Sequence, residues 1–284
     1  LPRVAIINTI AVDVDRKGMA MNDRFAMDGR VALITGGSLS IGRALALAFA
    51  EHGADIALHH AASADAAYGF PDAAAETAQE CSGRGARVAI VERDLAEPGA
   101  GRDVVASAID QLGRVDILVV GASIQYRGAF ASITPEQVNR QVAINFQATV
   151  DLLQAALPAM AERGWGRIVT IGSINQVRPE PELAVYAALK DAQKNLCLNL
   201  ARSYAAQGVM LNNLSPGLIA TERNRWRRAD ADVWGRIEAN ASPTGRAGTP
   251  QDLVGAALLL CSDAGAYIAG SDLMVTGAGH LPGW

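Results

Sequence analysis

From residue 31 onward, short apolar runs alternate with longer stretches whose apolar residues recur every three to four positions. The short runs predict strands over residues 31–35, 55–59, 87–92, 115–120, 167–171, 209–214 and 273–276. The longer stretches predict helices over 41–52, about 72–82, 104–112, 137–161, 183–206 and near 253–261. Gly53 closes the first of them as a C-cap glycine. Residues 115–120 are apolar throughout, the pattern of a strand covered by helices on both faces. Residues 61–71 are rich in Ala, Ser and Gly and predict an enlarged loop. Strands alternating with helices make this an α/β chain with one doubly wound parallel sheet, expected in the order 3-2-1-4-5-6-7. No repeat or linker divides it, so one domain is expected, with a lid inserted at about 218–249. Ligands in such sheets bind beyond the carboxyl ends of the strands, where the order reverses between strands one and four.

Two breaks in the pattern carry chemistry. Residues 31–43 read VALITGGSLSIGR, a strand, a glycine-rich turn and the start of a helix. Such a turn brings backbone close to a pyrophosphate, with helix N–H groups facing the anion. The same glycines also suit plain helix–strand packing. The second break is residues 168–190, IVTIGSINQVRPEPELAVYAALK. Tyr186 and Lys190 stand four apart and share one helix face. An ammonium beside a phenol favours the phenolate, and a phenol so tuned exchanges a proton with an alcohol or carbonyl oxygen near neutral pH. Ser173, at the strand end, is placed to hydrogen-bond that oxygen. In isolation, an ordinary helix with an incidental Tyr and Lys would look the same.

With Asn145 upstream in VAINFQATV, the set Asn145, Ser173, Tyr186 and Lys190 resembles the catalytic tetrad of the short-chain dehydrogenase/reductase family. The likeness runs from about Asp28 to Gly279. It implies a single Rossmann-type domain and reversible hydride transfer between a nicotinamide and a carbinol or carbonyl carbon, with no metal. Tyr186 is then the acid/base. Lys190 lowers the phenol pKa and holds the nicotinamide ribose, Ser173 orients the substrate oxygen, and Asn145 anchors a water joining Lys190 to solvent. Gly36, Ser38, Ser40, Ile41 and Gly42 are the expected phosphate cradle, with Ser40 in place of the middle Gly of the family's Thr-Gly-x-x-x-Gly-Ile-Gly. Asp94 and Leu95 match the pair beside adenine, although Asp94 also fits a helix N-cap. Where the family carries Asn-Asn-Ala-Gly, residues 120–123 are Val-Gly-Ala-Ser, so Gly121 and Ala122 offer only small backbone contacts to the ribose. Pro216, Gly217, Ile219 and Thr221 match the segment that packs on the nicotinamide.

The choice between NAD and NADP turns on the end of the second strand, where a carboxylate would bind the ribose hydroxyls and repel a 2′-phosphate. His59 and His60 stand there, and no acid follows until Asp65. NADP or NAD is therefore expected, with a lean to NADP. Gln125, Tyr126, Asn175, Gln176, Arg178 and Trp226 are the expected substrate-facing positions. That polar lining suits a sugar, polyol or hydroxy acid. Glu222 to Arg228 holds four arginines around Trp226, a set that fits an acidic or hydroxyl-rich substrate or, more simply, a solvated lid helix. The leading reading is an NAD(P)-dependent sugar or polyol dehydrogenase. The alternatives are a 3-oxoacyl or other ketone reductase, and a catalytically idle nucleotide-binding sensor or scaffold.

Composition narrows the classes. Half of the 284 residues are hydrophobic and the formal net charge is −4, which gives no reason to expect nucleic acid or an anionic membrane as partner. Cys81, Cys197 and Cys261 are far apart and read as reduced core residues of a cytoplasmic protein. Residues 1–27 read as an N-terminal extension without a secretory pattern, and the domain proper as 28–284. A homotetramer paired through the helices at 137–161 and 183–206 is implied by the resemblance. The tail Gly277 to Trp284 is expected to be irregular; the resemblance implies Trp284 at a subunit interface with His280 or the terminal carboxylate near a pocket rim, and a frayed terminus is the equal alternative.

Overall fold

A computed structural model describes residues 24–283 of the chain. Seven strands form one parallel sheet: β1 (Val31–Thr35), β2 (Asp55–His60), β3 (Val88–Glu92), β4 (Ile117–Val120), β5 (Gly166–Ile171), β6 (Val209–Pro216) and β7 (Asp272–Val275). Their order, β3-β2-β1-β4-β5-β6-β7, is the one the alternation predicts. Neighbours pair in register, with Thr35 opposite His59 on one side and Val120 on the other.

Among the described residues nine α-helices accompany the sheet: α1 (Ser40–Glu51), α2 (Ala62–Ala67), α3 (Ala73–Ser82), α4 (Ala100–Leu112), α5 (Pro135–Val142), α6 (Ala148–Glu162), α7 (Ala184–Tyr204), α8 (Ala231–Ala239) and α9 (Val254–Cys261). Side chains along a strand alternate between faces. Val31 and Leu33 therefore pack with α4, α6 and α7, while Ala32 and Ile34 pack with α1, α3 and α9. Both layers are buried apolar clusters, and each fully buried Leu, Ile or Val contributes roughly 1.5–3 kcal/mol relative to exposure. All three cysteines are unpaired and buried, and burial pushes their thiols up to about 11 (Cys81) and about 12 (Cys197 and Cys261). No described helix is long and apolar enough to cross a membrane.

Three local outcomes differ from the sequence reading. Residues 61–71 are not all loop: the alanine-rich stretch forms α2, consistent with the high helix propensity of Ala. The single helix expected over 137–161 is broken into α5 and α6 by a π-helical turn, Ala143–Gln147, which holds Asn145. Met27 is buried at 1 % exposure and donates its N–H to His52 O, so the packed core begins before residue 28. The extension at residues 1–23, and Trp284, lie outside the described residues.

The 218–249 segment leaves β6 and returns at a bridge between Ile219 and Gly248. Between these points lie a 3-10 stretch, Glu222–Ala229, and α8, neither with a buried residue. After β7 the chain turns at Gly277 and Ala278, both with positive φ, and has no further helix or strand among the described residues. His280 bonds Thr276 Oγ1 through Nδ1 at 2.7 Å rather than lining the cavity described below.

Candidate active site

Beyond the carboxyl ends of the strands lies a cavity of about 760 Å³ that reaches from β2 to the 218–249 segment. Every cofactor-side position named from the sequence lines it, from Gly36 through Thr221, and so do Ser173, Tyr186 and Lys190. The switch point between β1 and β4 is held by Thr35, whose Oγ1 accepts from the N–H groups of Gly121 (3.0 Å) and Ala122 (3.2 Å).

The glycine-rich turn leaves almost no room for side chains. A Cβ on Gly42 would stand 1.9 Å from Gly36 O, so α1 can begin against the turn only because this position is glycine. This close-packed loop and helix N-terminus, opening onto a long cavity, fit a dinucleotide pyrophosphate. Ser40 takes a left-handed backbone, φ 51°, where the family has glycine. Its hydroxyl is not idle: Oγ accepts from Glu222 N at 3.3 Å, joining the turn to the 218–249 segment. Ser40→Ala keeps the backbone strain and loses that acceptor, and should cost about 0.5–1.5 kcal/mol. Ser40→Gly exchanges the strain for backbone entropy and should be nearly neutral. Urea unfolding of the three proteins checks both expectations.

At the end of β2, His59 is buried, and burial is the main cause lowering its pKa to about 4. It is neutral at neutral pH: Nδ1 accepts from Gly36 N (3.3 Å) and Nε2 donates to Arg93 O (3.0 Å), bracing the turn. The strand ends without an acid, as expected, but α2 folds Asp65 back to the same place. The Asp65 carboxylate, 4 % exposed, accepts from Ser38 Oγ at 2.8 Å and from His60 Nδ1 at 2.9 Å. The sequence reading passed over Asp65 because only the helix brings it home. Asp94 Oδ1 accepts from Ala96 N, so it caps the turn after β3 and not α4 itself. Although burial opposes the shift, that bond and the Arg140 guanidinium hold the Asp94 carboxyl below its usual range.

On the other side of the switch point, α7 presents Tyr186 and Lys190 to the cavity, beside Ser173 at the end of β5. Lys190 is 1 % exposed and donates to Ile171 O (2.6 Å) and Gln193 Oε1 (3.0 Å). Burial, and then the charge of Arg223, lower its pKa to about 7. Its proton is therefore loosely held near neutral pH.

Gln193 passes the contact on, donating to Thr149 Oγ1 at 2.7 Å, and that hydroxyl donates to Asn145 O at 3.3 Å. Asn145 thus meets Lys190 through its backbone and a relay of buried side chains. Its side chain does not line the cavity: Oδ1 accepts from Ile124 N (2.9 Å) and Nδ2 donates to Ile124 O (2.8 Å), clasping the loop after β4.

Among the substrate-facing positions, Gln125, Asn175 and Arg178 line the cavity, and Arg178 Nη1 donates to Gly279 O at 2.7 Å. Gln176, Tyr126 and Trp226 do not. Gln176 turns toward β6 and β7, donating to Ser215 Oγ (3.0 Å) and Asp272 Oδ2 (3.3 Å) and accepting from Ser173 N (3.2 Å). A buried polar network with Asn213 and Asp272 claims it, since an unpaired buried amide is costly. Trp226 is 68 % exposed and lies on the outer side of its segment, in a shallow surface groove. Of the four arginines in the Glu222 to Arg228 run, Arg223 and Arg227 line the cavity, and so does Ser123 after β4.

The fold and the site define a nucleotide-binding α/β domain whose cradle adjoins a Ser–Tyr–Lys face. The model of the Enoyl-(Acyl carrier protein) reductase family matches residues 36–279. L-rhamnose 1-dehydrogenase (NAD(P)(+)) of a Sphingomonas species is 34 % identical over 90 % of this chain and 98 % of its own. A 3-oxoacyl (acyl-carrier-protein) reductase from Agrobacterium tumefaciens, solved with NADP bound, superposes with TM-score 0.86 at 39 % identity, covering 93 % of this chain and 100 % of that one. A gluconate 5-dehydrogenase from Burkholderia cenocepacia, solved with NADP and tartrate, superposes at 0.81 and 32 % identity, over 91 % and 98 %. The chain belongs to the short-chain dehydrogenase/reductase family.

Proposed function

We propose that this protein is an NAD(P)-dependent oxidoreductase that interconverts a polar secondary alcohol, a sugar or polyol, and the corresponding carbonyl compound. The observation that carries the reading is one continuous cavity in which Ser173, Tyr186 and Lys190 adjoin the cradle at Gly36–Gly42. The sugar dehydrogenases among its relatives support the substrate class.

The cradle and the segment from Pro216 to Thr221 hold the dinucleotide, which when bound supplies or accepts the hydride. Ser173 Oγ donates to the substrate oxygen and fixes its position. Tyr186 exchanges the proton of that oxygen, and Lys190 beside it assists the proton transfer and holds the ribose. Gln193 and Thr149 tie Lys190 to the π-helical turn, so Asn145 positions the site through its backbone and the Ile124 loop. The 218–249 segment acts as a lid over the cavity. Nicotinamide absorbance with a panel of sugars, polyols and ketones, using both dinucleotides, tests the proposal; no turnover of any sugar or polyol would sink it.

The likeness to a 3-oxoacyl reductase supports a second reading, reduction of an acyl ketone. Gln125, Asn175 and Arg178 in the lining favour the sugar. NADP should serve at least as well as NAD, because the Asp65 carboxylate is already engaged by Ser38 and His60. Comparing kcat/KM for both dinucleotides on one substrate checks this. Asp65→Asn should shift the ratio further toward NADP, since it removes a like charge from the end of β2.

A homotetramer in the cytoplasm completes the proposal. Exposed Phe130 and Val142 near α5, and fully exposed Tyr267 before the edge strand β7, are apolar surface that subunit contacts would cover. Light scattering at micromolar concentration should return a tetramer mass. The net charge of −4 supports small molecules rather than nucleic acid as partners.

A further inference from the structure

Arg223 behaves differently from the other arginines of its segment. Arg225 lies over the Phe70 ring and Arg227 over Trp226, while Arg228 donates to Thr221 O and faces Glu222. Arg223 instead reaches across the cavity to the loop after β4. Its Nη2 donates to Ser123 O at 2.5 Å and to Ser123 Oγ at 3.0 Å. Both acceptors are neutral, and no carboxylate among the described residues forms an ion pair with it.

Lys190 is in the same condition, held by a carbonyl and an amide oxygen. Arg223 and the protonated form of Lys190 therefore face one cavity without a counter-charge, near enough that Arg223 weakens the hold of Lys190 on its proton. Repulsion of this kind is poorly screened away from bulk water. An anion entering between the lid and Ser173 would relieve it.

The cavity's own acids are engaged elsewhere. Asp65 is bound to Ser38 and His60, Asp94 to Arg140, Glu180 to Arg127, and Glu222 lies 3.7 Å from Arg228. A dinucleotide's phosphates have a separate place, the cradle at the start of α1. The charge of Arg223 is felt instead at Lys190, beside the groups that meet the reacting oxygen.

We propose that Arg223 exchanges Ser123 for the carboxylate of the substrate, and that the enzyme's preferred alcohol is a polyhydroxy acid rather than a neutral sugar. A guanidinium is suited to this exchange, because its planar fork can hold a carboxylate through two hydrogen bonds. The inference rests on the oxidoreductase reading above and narrows its substrate.

The test uses the full chain and begins with a fluorescence titration of NADPH into wild type, Arg223→Gln and Arg223→Lys. Calorimetry on the NADPH-loaded proteins then compares two matched pairs, D-gluconate with D-glucitol and D-glycerate with glycerol. The expected result is that wild type binds at least one acid about tenfold or more tightly than its neutral partner, as one strong charge-assisted contact would give. Arg223→Gln should lose that preference, Arg223→Lys should retain part of it, and NADPH affinity should stay within about threefold in both. Equal or undetectable binding of acid and neutral partner by wild type overturns the inference, as does a preference that survives in Arg223→Gln. A tenfold loss of NADPH affinity in Arg223→Gln, with the acid preference intact, would assign the guanidinium to the dinucleotide instead. Failure of wild type to bind NADPH would appear in the first titration, and it would remove the oxidoreductase reading along with this one.

Discussion

Tyr186→Phe should lower turnover by about 10²–10⁴-fold, the usual worth of a positioned acid/base, while dinucleotide affinity and folded stability change little. No hydrogen bond within the described residues engages the Tyr186 hydroxyl, so its removal leaves no buried partner unsatisfied. The ring stays in place as 6 % exposed packing on α7. What is lost is the one group on that face of the helix able to give or take a proton from the substrate oxygen. Turnover and NADPH affinity are to be measured separately. Turnover within threefold of wild type would remove Tyr186 from the proton transfer.

Lys190→Met should abolish most turnover and also change how stability depends on pH. Burial, aided by Arg223, takes the Lys190 pKa from 10.5 to about 7. Between those values the unfolded chain holds a proton that the folded chain has released, so this group makes wild-type stability rise with pH across that window. Below about pH 7 both states are protonated, and the buried ammonium imposes its full penalty. The methionine variant has no such group. Wild type should therefore gain on the variant by up to about 1.4 kcal/mol per pH unit between pH 7 and 10. Urea unfolding of both proteins at pH 7 and pH 9 should show a relative gain for wild type of roughly 2 kcal/mol. Parallel pH profiles would mean that Lys190 titrates in the folded protein as it does in the unfolded chain. Met also leaves Ile171 O and Gln193 Oε1 without their donor, so the absolute stability of the variant depends on both effects; the pH slope isolates the charge.

What the sequence determined by itself is the part of this protein written in local pattern. Most of the strands are short apolar runs and most of the longer helices amphipathic stretches, so periodicity locates them and their alternation implies the parallel sheet, whereas α2 and α8 are not located this way. The cradle was legible for a related reason: a turn so tight that Gly42 cannot carry a Cβ has to be spelled in glycine. Tyr186 and Lys190 were legible because four residues make one turn of one helix.

Only the tertiary structure decided the rest, because those facts depend on residues distant in sequence meeting in space. Asp65 follows its strand by five residues and looks absent from the ribose end, until α2 returns it to Ser38 and His60. Gln176 sits three residues after Ser173 yet turns away from the cavity, since Ser215 on β6 and Asp272 on β7 take its amide. Trp226 looked like a lid aromatic aimed at substrate and instead faces outward, while Arg223, three residues earlier, reaches Ser123 a hundred positions away. Asn145 was visible as a residue, but its task depends on a π-helical turn that no periodicity announces. The proton on Lys190 is the clearest instance. Its weak hold comes from burial among α7, β5 and the lid, a property of the packed interior that no stretch of sequence carries alone.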